Sequence, residues 1–302
     1  MMQLVMILLP VFLIFATGYI AQKLLHMDIK SISALSLYIL LPLLTFDTFY
    51  SNAITVDYLY LFIFSLIITV ILAGVTVAIG LFMRSGKEDI SAMLLGTLFP
   101  NSGNYGSPVV LFAIGATAFD YAIVLMVLHG FIISTVGIFI ASFGNGATIS
   151  AKEALASIFR IPVIYGALAG VLLQLGNITI DDKLMEIIQM TGNAAIPVVM
   201  LILGMQLAQI TKEKFEVKDI TTVVVVRMLI SPIVAAILVL FMPVDETMKL
   251  VFIILNAMPV AANSTMLAVQ FNVKPNLVSF STLVTTLISI ITIPICLILL
   301  GI

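Results

Sequence analysis

The chain consists largely of long apolar runs separated by short polar breaks, and this pattern restricts what it can fold into. A helix that crosses a membrane needs about 20 mostly apolar residues. Ten such runs fall at 3–23, 32–51, 58–83, 90–115, 119–142, 158–175, 184–208, 219–241, 247–270 and 277–301. Only 9% of the residues are charged, whereas a soluble domain has about 25%. We therefore predict an all-α, multi-pass protein of the cell membrane with about ten transmembrane helices in the lipid bilayer.

The Lys and Arg residues indicate how these spans are oriented. Ten of the 13 basic residues lie in connections after odd-numbered spans: Lys23, Lys30, Arg84, Lys87, Lys152, Arg160, Lys212, Lys214, Lys218 and Lys274. The connections after even-numbered spans hold only Lys183 and Lys249. Short loops with an excess of Lys and Arg stay in the cytoplasm. The alternation predicts that both termini lie on the extracytoplasmic side and that the longest connection, at 143–158, is a cytoplasmic loop.

The two halves of the chain carry the same sequence signals in the same order, which indicates an internal repeat. Three matches relate each span to the fifth span after it, at offsets of 152, 155 and 159 residues: Pro10 and Gly18 with Pro162 and Gly170, Pro42 with Pro197, and Pro100 and Asn104 with Pro259 and Asn263. Because each half has an odd number of spans, the second half enters the membrane from the opposite side. We predict two inverted five-helix repeats, at 1–142 and 158–302, a plan that recurs in secondary transporters.

Two of the predicted spans contain strong helix breakers near their middle. Span four contains FPNSGNYGSP at 99–108, and span nine contains NAMPVAANST at 256–265. A backbone break at membrane depth is tolerated only where protein or water covers it, and paired breaks in corresponding spans are typical of a transporter binding site. The predicted break residues are Pro100, Gly103, Gly106, Pro108 and Pro259. The alternative is a pair of ordinary proline kinks, which would not need the additional Asn, Ser and Gly residues.

A broken helix offers an anion the positive end of a half-helix dipole and unpaired N–H groups. Ser107 followed by Pro108 predicts an N-cap and first turn for the second half of span four. Asn263 and Ser264 are predicted to cap the second half of span nine in the same way. The complete set of predicted substrate-binding residues is Asn101, Asn104, Tyr105, Ser107, Asn263, Ser264 and Arg227.

Two ionisable residues lie inside predicted spans, and each has two interpretations. Arg227 either holds an anion from within the bundle or extends its side chain back to the cytoplasmic headgroups. His129 is a possible proton site, because its ordinary pKa is near physiological pH. The alternative, which we favour for His129, is a neutral imidazole bonded to a neighbouring backbone group.

The sequence contains no pattern for covalent chemistry. It lacks a phosphate-binding loop, an HExxH motif, a GxSxG elbow and a Cys/His cluster, and it has a single cysteine, Cys296. The net charge of -2 gives no indication of nucleic-acid binding. We therefore predict no catalytic residues, no metal and no cofactor. A proton or sodium ion coupled to transport remains open. A passive channel or uniporter and, less well supported, a membrane sensor are the alternatives to a secondary transporter.

Four segments resemble the auxin efflux carrier family, whose bacterial members include malate and other organic-acid permeases. They are SLYILLPLLTF in span two, LFPNSGNYGSPVVL in span four, AAIPVVMLILGMQLA in span seven and AMPVAANSTMLAVQFNVKPNLVSFSTLVTTLISIITIPI over spans nine and ten. The resemblance covers nearly the whole chain. It implies transport of a small organic anion such as malate or an auxin-like carboxylate.

The resemblance also implies an architecture similar to that of bile acid symporters and sodium/proton antiporters. A scaffold and dimerisation domain would comprise the spans at 3–51 and 158–208, and a transport domain the spans at 58–142 and 219–301. The broken spans four and nine would cross at the binding site, and the protein would be a homodimer. Asn101 matches the position whose side chain contacts the substrate carboxylate in the plant carriers.

Overall fold

The structure, a computed structural model, describes residues 2–146, 153, 156, 159, 161–209 and 217–302. The regular structure in these residues is helical, apart from one isolated antiparallel bridge between Pro100 and Val260. The helices are α1 (Met2–Leu25), α2 (Ile29–Ser51), α3 (Val56–Phe82), α4 (Lys87–Leu98), α5 (Ser107–Ala113), α6 (Ala116–Asn145), α7 (Pro162–Leu175), α8 (Asp182–Ala208), α9 (Val217–Val239), α10 (Glu246–Asn256), α11 (Ala262–Gln270) and α12 (Pro275–Leu299). The predicted all-α class is confirmed.

Six of these helices are long and apolar enough to cross a membrane, namely α2, α3, α6, α8, α9 and α12. Helix α7 and the apolar part of α1, Leu9–Leu25, are shorter. The predicted spans at 90–115 and 247–270 are each divided into two helices. Most of the predicted loop at 143–158 lies outside the described residues, as do the basic residues Lys152, Arg160, Lys212 and Lys214.

Proline accounts for three of the four π-helical turns that the described residues contain. These turns are Ser36–Leu40 in α2, Ser102–Gly106 before α5, Ile133–Gly137 in α6 and Val226–Ile230 in α9. Pro42, Pro108 and Pro232 each follow such a turn by two residues. Proline has no N–H to donate, and its ring clashes with the carbonyl one turn earlier. A locally wider turn relieves that clash, so the helix continues through the proline.

Polar side chains cap the N-termini of several helices. Thr55 accepts a hydrogen bond from the Asp57 N–H at the start of α3, and Asp245 accepts one of 2.7 Å from the Met248 N–H at the start of α10. Asp28 caps α2, and its carboxylate accepts a 2.5 Å hydrogen bond from the Ser31 hydroxyl. This hydrogen bond lowers the pKa of Asp28. These caps satisfy N–H groups that have no acceptor within the helix.

Glycine allows two pairs of helices to pack with their backbones in contact. Helix α1 packs along α8, and α2 packs along α7. A Cβ atom on Gly204 of α8 would lie 2.0 Å from the Phe15 carbonyl oxygen, and one on Gly166 of α7 would lie 2.0 Å from the Pro42 carbonyl oxygen. No side chain fits at these separations, so the four helices form a closely packed group.

The remaining helices pack around α4 and α10, the two helices that end inside the molecule. Helix α4 contacts α3, α6, α9, α11 and α12, and α10 contacts α6 and α9. Phe64 of α3 stacks on Phe252 of α10 with ring centroids 3.8 Å apart. The Thr76 and Thr97 hydroxyls are 2.9 Å apart, so these two buried polar groups satisfy each other between α3 and α4. This packing holds the inner ends of α4 and α10 in place.

Candidate functional site

Two extended segments cross where α4 and α10 end. The Asn101 N–H donates a 2.8 Å hydrogen bond to the Pro259 carbonyl, and the Ala261 N–H donates a 2.9 Å bond to the Phe99 carbonyl. All four residues are buried. Unpaired backbone groups are expensive in an apolar environment, and each segment supplies partners for the other. The two breaks therefore form one structural unit.

The hydrogen bonds set a register between the two breaks that differs by one from the sequence match. The two donors, Asn101 and Ala261, are 160 positions apart, and so are the two acceptors, Phe99 and Pro259, whereas the match of Pro100 with Pro259 predicted 159. An offset of 160 would match Asn104 with Ser264 instead of Asn263, and the equivalence of Asn104 and Asn263 stays a prediction. Backbone pairing sets the register here, and it does not depend on which residue is proline.

The helices restart earlier than the capping signals predicted. The π-helical turn Ser102–Gly106 leads directly into α5, so Ser107 lies inside a helical stretch and its hydroxyl donates a 2.7 Å bond to the Gly103 carbonyl. The predicted N-cap role of Ser107 is wrong. Helix α11 begins directly after the second crossing segment, so Asn263 and Ser264 lie in its first turn and are not caps. The crossing bonds orient the chain for helix entry and make a side-chain cap unnecessary.

The two glycines of the first break provide space for packing. Gly103 and Gly106 are helical, and neither has a positive φ. A Cβ on Gly106 would lie 2.5 Å from Leu255 Cδ2, and one on Gly103 would lie 3.0 Å from the Met126 sulfur. Neighbouring side chains occupy the space where a Cβ would be, so both glycines are needed for this close packing.

A cavity of about 530 Å³ lies beside the crossing. It is lined by the first turns that follow the two crossing segments and by residues of α2, α6, α7, α8 and α11, most of them apolar. Its polar lining residues are Lys30, Ser33, Ser36, Tyr38, Asn101, Ser102, Asn104, Gln206, His129 and Asn263. Among the described lining residues, Lys30 is the only Lys, Arg, Asp or Glu. The cavity is therefore large enough for a small molecule and has no carboxylate in its described lining.

Asn101 is the most constrained polar residue of this cavity. It is 5% exposed, and its backbone N–H and carbonyl are both hydrogen-bonded, to Pro259 and to the Gly106 N–H. Within the described part of the chain its side-chain Nδ2 has no hydrogen-bond partner. Asn104 is half-buried and Asn263 is exposed, and both also line the cavity. A buried amide without a partner is unusual, and this one belongs to a residue of the cavity lining.

His129 lies in the same wall of the cavity. Its side chain is buried, and Nδ1 is 3.1 Å from the Ser102 hydroxyl in the first crossing turn. The favoured expectation that His129 bonds a backbone group is wrong, because its partner is a side chain. The ring links α6 to the crossing.

Four predicted binding residues lie away from this cavity. Tyr105 is buried against Phe15, with ring centroids 4.9 Å apart, and its hydroxyl accepts a 3.0 Å bond from Ser289. Ser107 and Ser264 are buried within their helices and are not part of the lining. Successive helical residues point about 100° apart, so only some residues of each first turn face the cavity. Tyr105, Ser107 and Ser264 therefore do not line this cavity, and their binding roles stay predictions.

Arg227, the fourth, is fully buried on the far side of the crossing. Its guanidinium donates to the Thr97 carbonyl at 3.0 Å, the Asn256 carbonyl at 2.6 Å and the Ser231 hydroxyl at 2.8 Å. It does not line the cavity, and its anion-binding role stays a prediction; the alternative that it extends to the headgroups is wrong, because the side chain is fully buried. The polar groups at the ends of α4 and α10 hold it in the interior.

Lys30, Ser102 and Gln206 line the cavity but were not among the predicted site residues. In the sequence, Lys30 served only to predict the orientation of the spans relative to the membrane. Nothing in its local sequence distinguishes it from the other basic residues, because its place in the lining depends on how α2 packs against α6 and α8.

Apolar helices of membrane-spanning length, a paired break and a cavity beside it are features of a membrane transport protein. A family model described as membrane transport protein matches residues 3–297. The chain belongs to this family, the auxin efflux carriers, as the four segments indicated. A search of characterised protein sequences found no significant match.

Proposed function

We propose that the protein is a secondary transporter of a small organic anion, such as malate or an auxin-like carboxylate, that works by alternating access. The observation that carries this proposal is the unpartnered Asn101 amide in a cavity whose described lining has no carboxylate. An amide donor binds a carboxylate oxygen without the desolvation penalty of a buried cation.

The electrostatics of the cavity favour an anion. The helical stretches that begin at Ser102 and Ala262 both have their first turns in the lining. First-turn N–H groups lack acceptors within the helix, and the helix dipole places partial positive charge there. Lys30 adds a formal positive charge at the wall. Asn101, Asn104 and Asn263 would orient the bound anion.

We also propose two inverted five-helix repeats, at 1–142 and 158–302, giving ten spans. Helix packing supports this. Gly18 of α1 lies against Leu201 of α8, and Gly170 of α7 lies against Phe46 of α2. Gly18 and Gly170 are 152 residues apart, and Phe46 and Leu201 are 155 apart. The sequence matches of spans one and two have the same two offsets. In the proposed repeat, the contact of Gly18 with Leu201 therefore corresponds to the contact of Gly170 with Phe46.

The cavity lining supports a division into two parts that move relative to each other. The spans at 3–51 and 158–208 would form a scaffold that also makes a homodimer. The spans at 58–142 and 219–301 would form the transport domain. Both proposed parts contribute to the cavity lining: α2, α7 and α8 from the scaffold, and α6, α11 and the crossing from the transport domain. Both termini would be extracytoplasmic, so the wall that contains Lys30 would be near the cytoplasmic end.

Transport by purified protein in liposomes tests the function. We expect saturable uptake of labelled L-malate or indole-3-acetate, and counterflow of label when unlabelled substrate is inside. Imposed proton and sodium gradients identify any coupling ion, and His129→Gln tests the proton site. Protein-free liposomes are the control. Flux that is linear in concentration and shows no counterflow would indicate a channel, and no flux across a panel of mono- and dicarboxylates would overturn the proposal.

Lys30→Gln is expected to raise the KM for the transported anion about three- to tenfold with little change in maximal rate. A charge near a water-filled cavity attracts an anion by roughly 1 kcal/mol, and salt screens the attraction. The difference from wild type should therefore shrink at high salt. Lys23→Gln removes the same charge from an exposed residue outside the lining and serves as the control. Equal KM values for both variants would exclude a role for Lys30.

A further inference from the structure

Arg227 makes an unusual set of contacts for a buried cation. It is 0% exposed, and its hydrogen-bond partners among the described residues are two backbone carbonyls and one hydroxyl, with no carboxylate among them. The carbonyls belong to Thr97, in the last turn of α4, and to Asn256, the last residue of α10. One side chain therefore contacts the carboxyl ends of both half-helices.

These helix ends have a specific electrostatic requirement. The last carbonyls of a helix lack N–H partners and carry a partial negative charge. Here two such ends meet in the interior, where Thr97 and Asn256 are both buried. In other secondary transporters, half-helix carboxyl ends of this kind coordinate a sodium ion or a proton. A guanidinium has five donors in a rigid fork and bonds both ends at once.

Ser231 extends this contact into a small network. Its hydroxyl accepts from the Arg227 guanidinium at 2.8 Å and is 3.4 Å from Asn256 Oδ1. The Asn256 side chain in turn donates 2.9 Å to the Phe252 carbonyl, one turn earlier in α10. Arg227 and Ser231 are four residues apart, across the end of the α9 π-helical turn. The network thus ties α9 to the end of α10.

We propose that Arg227 is a positioning residue that acts as a resident cation. It holds the carboxyl ends of α4 and α10 together and so fixes the crossing that presents Asn101 to the cavity. It occupies the place where an alkali-metal ion would otherwise neutralise these ends, so the wild-type fold needs no such ion there. This inference rests on the crossing geometry and does not depend on the identity of the substrate.

Thermal unfolding of the purified protein in detergent tests this inference. The wild type is expected to melt at the same temperature in sodium, potassium and choline chloride of equal ionic strength. Arg227→Ala is expected to melt roughly 5–10 °C lower, because it leaves two polar helix ends buried without a partner. Added methylguanidinium, well below denaturing concentrations, should restore much of that loss by binding in the vacated space.

The matched control is Met228→Ala, which removes a neighbouring buried side chain from the same π-helical turn. It should also lower the melting temperature but show no recovery with methylguanidinium. Arg227→Lys keeps the charge but cannot bond both ends, so it should melt between the wild type and Arg227→Ala.

Three results would overturn the proposal. They are a wild-type melting temperature that rises specifically with sodium, an Arg227→Ala protein as stable as the wild type, and equal methylguanidinium responses of the Arg227→Ala and Met228→Ala proteins. If Arg227→Ala does not fold, the proposal is still tested by the melting temperature of Arg227→Lys and by the response of the wild type to sodium. Absence of transport alongside the expected melting behaviour would refute the proposed function and leave the role of Arg227 intact.

Discussion

Asn101→Ala is expected to weaken binding of the transported anion roughly ten- to hundredfold, the value of one lost hydrogen bond to a charged group, while the protein still folds. The side-chain Nδ2 has no partner in the described structure, so truncation leaves no other group unsatisfied. The crossing uses the Asn101 backbone, which the substitution leaves in place. The KM for uptake into liposomes and the melting temperature measure the two effects separately.

Asn101→Asp is nearly isosteric and should be worse than Asn101→Ala, because it replaces a donor by a carboxylate that repels the anion. Asn276→Ala is the matched control, since Asn276 is exposed in the first turn of α12 and outside the cavity lining. Unchanged uptake by folded Asn101→Ala and Asn101→Asp proteins would show that the anion binds elsewhere.

Gly204→Ala is expected to destabilise the protein by on the order of 3 kcal/mol, because overpacking forces close-packed backbones apart. The new Cβ would lie 2.0 Å from the Phe15 carbonyl oxygen and 2.8 Å from the Phe15 carbonyl carbon. These are backbone atoms, so no rotamer change relieves the clash. Gly166→Ala should behave in the same way against Pro42. The melting temperature and the yield of monodisperse protein measure the effect.

Gly74→Ala in α3 makes the same chemical change where nothing lies within 4 Å of the new Cβ. It should be neutral or stabilise the protein by about 0.5–1 kcal/mol, because alanine favours the helix over glycine. If Gly204→Ala, Gly166→Ala and Gly74→Ala all melted at the same temperature, the close approach of α1 to α8 and of α2 to α7 would not be a determinant of stability.

The sequence was informative about the positions of helices along the chain and about where two of them are interrupted. Apolar run length predicts spans because a membrane requires about 20 apolar residues whatever the surrounding fold. The clusters of Pro, Gly, Asn and Ser at 99–108 and 256–265 mark the segments around the crossing. They also led to Asn101, Asn104 and Asn263, which share one cavity.

The sequence was misleading about which way individual side chains point. Tyr105 and Ser107 belong to the same motif as Asn101, yet both face away from the cavity. A helix that is apolar on all sides has no amphipathic face from which its rotation can be inferred. Lys30 was missed because its place in the lining depends on how α2 packs, and the contacts that Arg227 makes with the ends of α4 and α10 were not predicted.

The sequence by itself determined that this protein is an all-helical membrane protein with a paired interruption, because hydrophobic length and proline chemistry act locally. Only the tertiary structure decided the register of the crossing, the residues that line the cavity and the bonding of Arg227 to the ends of α4 and α10. These features depend on contacts between residues as far apart as Asn101 and Pro259. Such contacts follow from the packing of whole helices, which no local pattern encodes.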